Sequence, residues 1–170
     1  MSKYFVVLCV CIAFALGMLL PRPQLHAAAA AMMTQNTPSQ GWILHIDAKR
    51  HFGSMHPGEL AHHWCKTGVA GGLIECQIYD SDAPNARLVA VETIVQPGVY
   101  NSFSASEKAL WHWHKTEVPK VDATLPGMPP AQQKKVVASI LPTYGKVWIL
   151  WDPIVTNNMP TGRPWVGIVK

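Results

Sequence analysis

Charge is scarce in this 170-residue chain: Asp, Glu, Lys and Arg together make up 14%, too little for a coiled coil or a charge-swollen disordered chain. Basic clusters are missing as well, since the longest basic runs are the pairs Lys49-Arg50 and Lys134-Lys135. No nucleic-acid partner is therefore expected. The chain has no G-x-S-x-G elbow, P-loop, H-E-x-x-H helix or C-x-x-C pair, which removes the common hydrolase, nucleotide, zinc-protease and thiol-redox templates. No internal repeat is present. Cysteine is limited to four residues, two of which, Cys9 and Cys11, fall in an N-terminal apolar run.

What is present suits one loop-rich globular domain: 49% apolar residues, seven tryptophans, fourteen prolines and twelve glycines. The tryptophans are expected mainly in the core. At the N-terminus Lys3 precedes an uncharged stretch from Tyr4 to Leu20, then Pro21, Pro23 and the small residues Ala27 to Ala31. That layout is read as a secretory signal over residues 1–30. The apolar run reaches only the lower edge of spanning length, so an uncleaved N-terminal anchor is the alternative and the one expected membrane contact. Residues 31–44 are read as a linker and 45–170 as the domain. The expected location is periplasmic or secreted. Cleavage near Ala28 leaves 12 basic against 10 acidic residues. Only Cys65 and Cys76 then remain, as a candidate disulfide or as two buried thiols.

Along the mature chain, Trp42 to Asp47 reads as a strand. His62 to Lys66 and Leu73 to Asp80 read as a hairpin turning at Gly71-Gly72. Arg87 to Gln96 is rich in β-branched residues and ends at Pro97-Gly98. Ser104 and Glu107 have capping-box spacing before a short helix over Glu107–Trp111. Trp111 to Val118 is compatible with either helix or strand. Ala131 to Leu141 is a helix and Gly145 to Trp151 a strand; the tail from Asp152 is punctuated by Pro and Gly. Short strands and helices without regular βαβ alternation predict an α+β fold, a mainly antiparallel sheet with short flanking helices in a single domain.

Histidine is the residue type that invites chemistry. His51, His56, His62 and His63 form one stretch, His112 and His114 another. On a strand, His112 and His114 would project from one face; on a helix they would diverge by about 200°. Glu92 lies within the apolar strand RLVAVETIV, where a carboxylate needs a partner or a cation. Glu92, His112 and His114, with His62 or His63, make a candidate site for one transition metal ion: zinc, iron or manganese. The alternative is that these histidines only pack and hydrogen-bond. A second class of function is a non-catalytic module holding a lipid or other hydrophobic ligand in a tryptophan-lined pocket. No catalytic residue, reaction or oligomeric state is legible.

Several blocks in order carry a family resemblance: HHWC at 62–65, ECQIYDS at 75–81, ARLVAVE at 86–92, SEKALWHWHKTEV at 106–118, YGKVWILW at 144–151 and MPTGRP at 159–164. Over residues 45–165 the chain resembles the oil body-associated protein family, as an exported member of bacterial type. The resemblance implies a motif set of His63, Glu92, Trp111, His112, His114 and Glu117, but no established reaction. Two departures stand out: Ala90 and Thr93 replace the usual glycine and tyrosine of the strand. Plant members associate with lipid droplets inside the cell, a location the export signal argues against here.

Overall fold

The β-branched segments pair into a sheet that a computed structural model describes over residues 37–52 and 59–169. The N-terminal signal or anchor, and His56, fall outside the described residues. Seven strands are described: β1 (Leu44–Lys49), β2 (Leu60–Val69), β3 (Leu73–Tyr79), β4 (Leu88–Val95), β5 (His112–Trp113), β6 (Tyr144–Ile149) and β7 (Trp165–Gly167). Their order is β1-β2-β3-β4-β6-β5, with β7 also on β6, and the pairings are antiparallel. β5 and β7 share the outer edge of β6, one beside Tyr144–Gly145 and the other beside Val147–Ile149. The helices are short: α1 (Pro97–Asn101), α2 (Ala105–Lys108), α3 (His114–Glu117) and α4 (Pro130–Ile140). No helix among the described residues is long and apolar enough to cross a membrane.

The expected α+β fold with a mainly antiparallel sheet is the observed one. Gly71 and Gly72 take φ of 78° and 74°, the left-handed backbone that the β2–β3 turn requires. The Ser104 hydroxyl accepts from the Glu107 amide at 3.2 Å, so the cap forms. The helix it starts is nevertheless a single turn that ends before Trp111. The Glu107 carboxylate is engaged elsewhere, accepting from Trp111 Nε1 and Lys146 Nζ, both at 2.8 Å. Within the Pro- and Gly-punctuated tail, Trp165–Gly167 pairs with β6.

Strand alternation sorts the side chains onto two faces. The inner face carries Ala61, His63 and Cys65 of β2, Cys76 and Ile78 of β3, Ala90, Glu92 and Ile94 of β4, and Val147 and Ile149 of β6, all buried. Each buried Ile or Val contributes roughly 1.5–3 kcal/mol. No tryptophan is fully buried in this core: Trp151 packs against it half-buried, and the others are half-buried or exposed. Lys146 Nζ lies 5.1 Å from the Trp148 ring centre. Rings of that size with an N–H to satisfy settle at the boundary.

The segment from α1 to α3 wraps around the β6 edge. On the outer side Tyr100 stacks on Tyr144, with ring centres 3.7 Å apart. The chain then pairs as β5 and turns inward at α3, where His114 and Glu117 are buried. This path brings residues far from Glu92 in sequence onto the inner face beside it.

Candidate metal centre

Glu92 stands in a row across the sheet, opposite Cys76 on one side and Val147 on the other. Strand geometry alone therefore points its carboxylate into the covered face. His112 arrives from β5, and His114 is the first residue of α3. The chain thus switches from strand to helix between the two histidines, which neither local reading anticipated, and the rings still converge. His112 Nε2 lies 3.1 Å from Glu92 Oε1, His114 Nε2 lies 3.3 Å from the same oxygen, and the two nitrogens are 3.3 Å apart. A tetrahedral zinc with bonds of about 2.0–2.1 Å would place its donors roughly 3.3 Å apart. The three groups are buried together.

The tautomers of His114, His63 and His51 follow from their surroundings. Thr143 Oγ1 donates to the Ile140 carbonyl at 2.6 Å, so toward His114 Nδ1, 2.8 Å away, it can only accept. Neutral His114 therefore carries its proton on Nδ1 and a lone pair on Nε2. His63 Nδ1 donates to the Ala61 carbonyl at 3.0 Å, which leaves Nε2 bare 3.9 Å from Glu92 Oε2. His51 Nδ1 donates to the Lys49 carbonyl at 2.8 Å, with Nε2 bare 3.4 Å from Glu117 Oε2. Glu117 Oε2 also lies 3.3 Å from His112 Nε2.

Among the described residues several buried atoms have no hydrogen-bond partner within reach: both Glu117 oxygens and His112 Nδ1. Burial and the neighbours pull in opposite directions on the titrations. Burial raises the Glu92 carboxyl, but the His112 and His114 rings outweigh it and hold it well below the usual carboxylate range. Burial keeps the His63 imidazole below its ordinary value, with Glu92 opposing more weakly. Burial also depresses His51, but the nearby Glu117 carboxylate and the Lys49 carbonyl outweigh it and raise it.

Beside the cluster is a cavity of about 70 Å³ whose apolar walls include Ile46, Ile94, Val121, Leu125, Val137 and Ile140. The apolar walls are aliphatic apart from Phe52, and none is one of the tryptophans that the sequence offered. Ala90 packs in the core with Ile78 and Ile149, and neither it nor Thr93 lines the cavity.

Of the five candidate ligands, Glu92, His112 and His114 meet, and His63 adjoins them. His62 points to the opposite face because β2 alternates. His51 and Glu117 join the cluster without having been singled out as ligands. The i, i+3 spacing of His114 and Glu117 on one helical turn was the available signal for Glu117; nothing local marks His51. Cys65 and Cys76 are register partners on β2 and β3, joined Sγ to Sγ at 1.99 Å, and they line the same cavity.

The chain matches the family described as "Protein of unknown function (DUF1264)" over residues 37–168. It is 39% identical to oil body-associated protein 2B of Zea mays over 110 residues, 65% of this chain and 44% of that protein. It is 38% identical to oil body-associated protein 1B of Arabidopsis thaliana over 104 residues, 61% of this chain and 43% of that one. With Arabidopsis oil body-associated protein 2C it shares 26% identity over 137 residues, 81% of this chain and 58% of the relative. The chain thus spans about half the length of these relatives. No solved structure matches it.

Proposed function

The chain belongs to the DUF1264 family, which places it among relatives of the oil body-associated proteins, and from that premise we propose that it is an exported metal-binding protein whose Glu92, His112 and His114 hold one transition ion. The observation that carries the reading is the excess of electron pairs. In their neutral forms His51, His63 and His114 aim bare Nε2 atoms at two buried carboxylates. Only protons or a cation between them can offset that arrangement; burial disfavours the proton on His63, whereas Glu117 favours one on His51. Imidazole and carboxylate donors suit zinc, iron or manganese.

Three protein ligands leave a coordination position for water or a bound molecule. The adjoining aliphatic cavity favours a ligand that combines a polar head with an apolar body. Without a metal the same cavity supports the second reading, a non-catalytic module for a lipid or other hydrophobic ligand. The Cys65–Cys76 pair accords with a periplasmic or secreted location, where disulfides persist.

Elemental analysis of protein purified without chelators or a histidine tag tests the proposal. About one equivalent of a transition metal should disappear in the His112→Ala, His114→Ala double variant. Equal metal content in both proteins after reconstitution rejects the centre and leaves the hydrophobic-ligand reading.

A further inference from the structure

A second group of ligand atoms occupies the opposite face of the sheet. His45 and Asp47, two apart on β1, project outward together, and Asp47 is the register partner of His62 on β2. Asp82, in the turn after β3, completes the group. His45 Nε2 lies 3.0 Å from Asp47 Oδ1 and 3.0 Å from Asp82 Oδ1. His62 Nδ1 lies 2.8 Å from Asp47 Oδ1 and 3.1 Å from Asp82 Oδ2. Each imidazole nitrogen therefore faces both carboxylates, in a closed ring of four nitrogen–oxygen contacts.

We infer that His45, Asp47, His62 and Asp82 form a second divalent-cation site, separate from the inner centre. With both rings neutral, two N–H protons at most are available for four contacts between nitrogen and carboxylate oxygen. The group then carries two negative charges, which one divalent ion would balance. Two imidazoles with two carboxylates are a four-donor set suited to tetrahedral zinc, and the nitrogen donors disfavour calcium and magnesium. The donors are also held in place. The His45 ring stacks on Trp64 with centres 4.3 Å apart and planes 7° apart. The Asp47 backbone exchanges two hydrogen bonds with Thr124, at 2.9 and 2.8 Å. Asp82 is 39% exposed at its side chain while the other three are 14% exposed, so the site has a fixed floor and one ligand at the surface. An open cleft of about 360 Å³ lined by Trp64, Tyr79 and Asp82 gives an ion access.

The test is equilibrium dialysis of chelator-stripped full-length protein against Zn²⁺, with Co²⁺ absorption spectra to report nitrogen and oxygen coordination. The expected result is roughly two equivalents bound, falling by about one in Asp82→Asn and again in His62→Asn. Asp82 lies at an exposed turn, so its variant should melt like the parent when both are stripped of metal, which separates lost binding from lost folding. An equivalent that survives the His112→Ala, His114→Ala change but vanishes in Asp82→Asn establishes the outer site even if the inner centre fails. Unchanged Zn²⁺ stoichiometry and Co²⁺ spectra in both Asp82→Asn and His62→Asn would overturn it, leaving a hydrogen-bonded His–Asp cluster.

Discussion

Gly145 lies directly opposite His112 in the β5–β6 pairing, and the room left by its missing side chain is where the imidazole meets Glu92. A Cβ at that position would come within 2.5 Å of His112 Nε2 and closer still to Glu92 Oε1. Gly145→Ala should therefore part the two ligands. The expected outcome is a folded protein, destabilised by about 1–3 kcal/mol, that no longer retains metal at the inner centre. Thermal melts paired with elemental analysis check both halves.

Thr143 acts on the centre through His114. Replacing it with Val keeps the volume but removes the oxygen that accepts the Nδ1 proton. Metal affinity at the inner centre should fall by about 10–100-fold, and Thr143→Ser should restore most of it. A competition titration with a chromogenic chelator measures the change. Equal affinities in parent and Val variant would mean the tautomer is set by something else.

Acid should destabilise the metal-free protein in two steps of the same sign. Burial holds His63 below its ordinary 6.5, so below that pH the unfolded chain takes up a proton that the fold resists, and stability falls. Glu92 acts further down: its net position lies well below 4.5, so its contribution is complete above 4.5 and is withdrawn as pH falls toward the folded value. His51 is raised and has the opposite sign, contributing fully below 6.5 and less as pH rises through its folded value. Melting temperatures between about pH 4 and 8 trace these limbs. His63→Gln should flatten the slope just below 6.5 and leave the lower one.

Reduction of Cys65–Cys76 opens a loop with a sequence separation of 11. The entropic model puts the cost near 3 kcal/mol. Mass spectrometry should register a gain of two hydrogens on reduction of this bridge, and denaturant melts should shift to lower midpoints. Free-thiol labelling of both cysteines without reductant would contradict the bridge.

The sequence made the sheet legible because RLVAVETIV, LIECQIYD and VWIL carry strand chemistry in their own residues. Glu92 stood out for the same reason, as a carboxylate in an apolar strand. The edge pieces were opaque: two residues of β5 and three of β7 are too short for a period, and only their pairing with β6 makes them strands. His51 was invisible as a ligand because its role comes from the end of β1 meeting α3, a contact between segments 66 residues apart in the His51–Glu117 pair. The outer group was nearer to hand, since His45-x-Asp47 on a strand already shares a face. Asp82 enters only once the turn after β3 has folded back.

His62 and His63 are consecutive, so one peptide bond separates a ligand of the outer group from a neighbour of the inner one. Slipping β2 by a single residue would exchange their faces and spoil both assemblies at once. Cys65, two residues further along the same strand, is bonded to Cys76 across the β2–β3 pairing. The bridge therefore ties β2 to β3 in the one register that sends the two histidines to opposite faces.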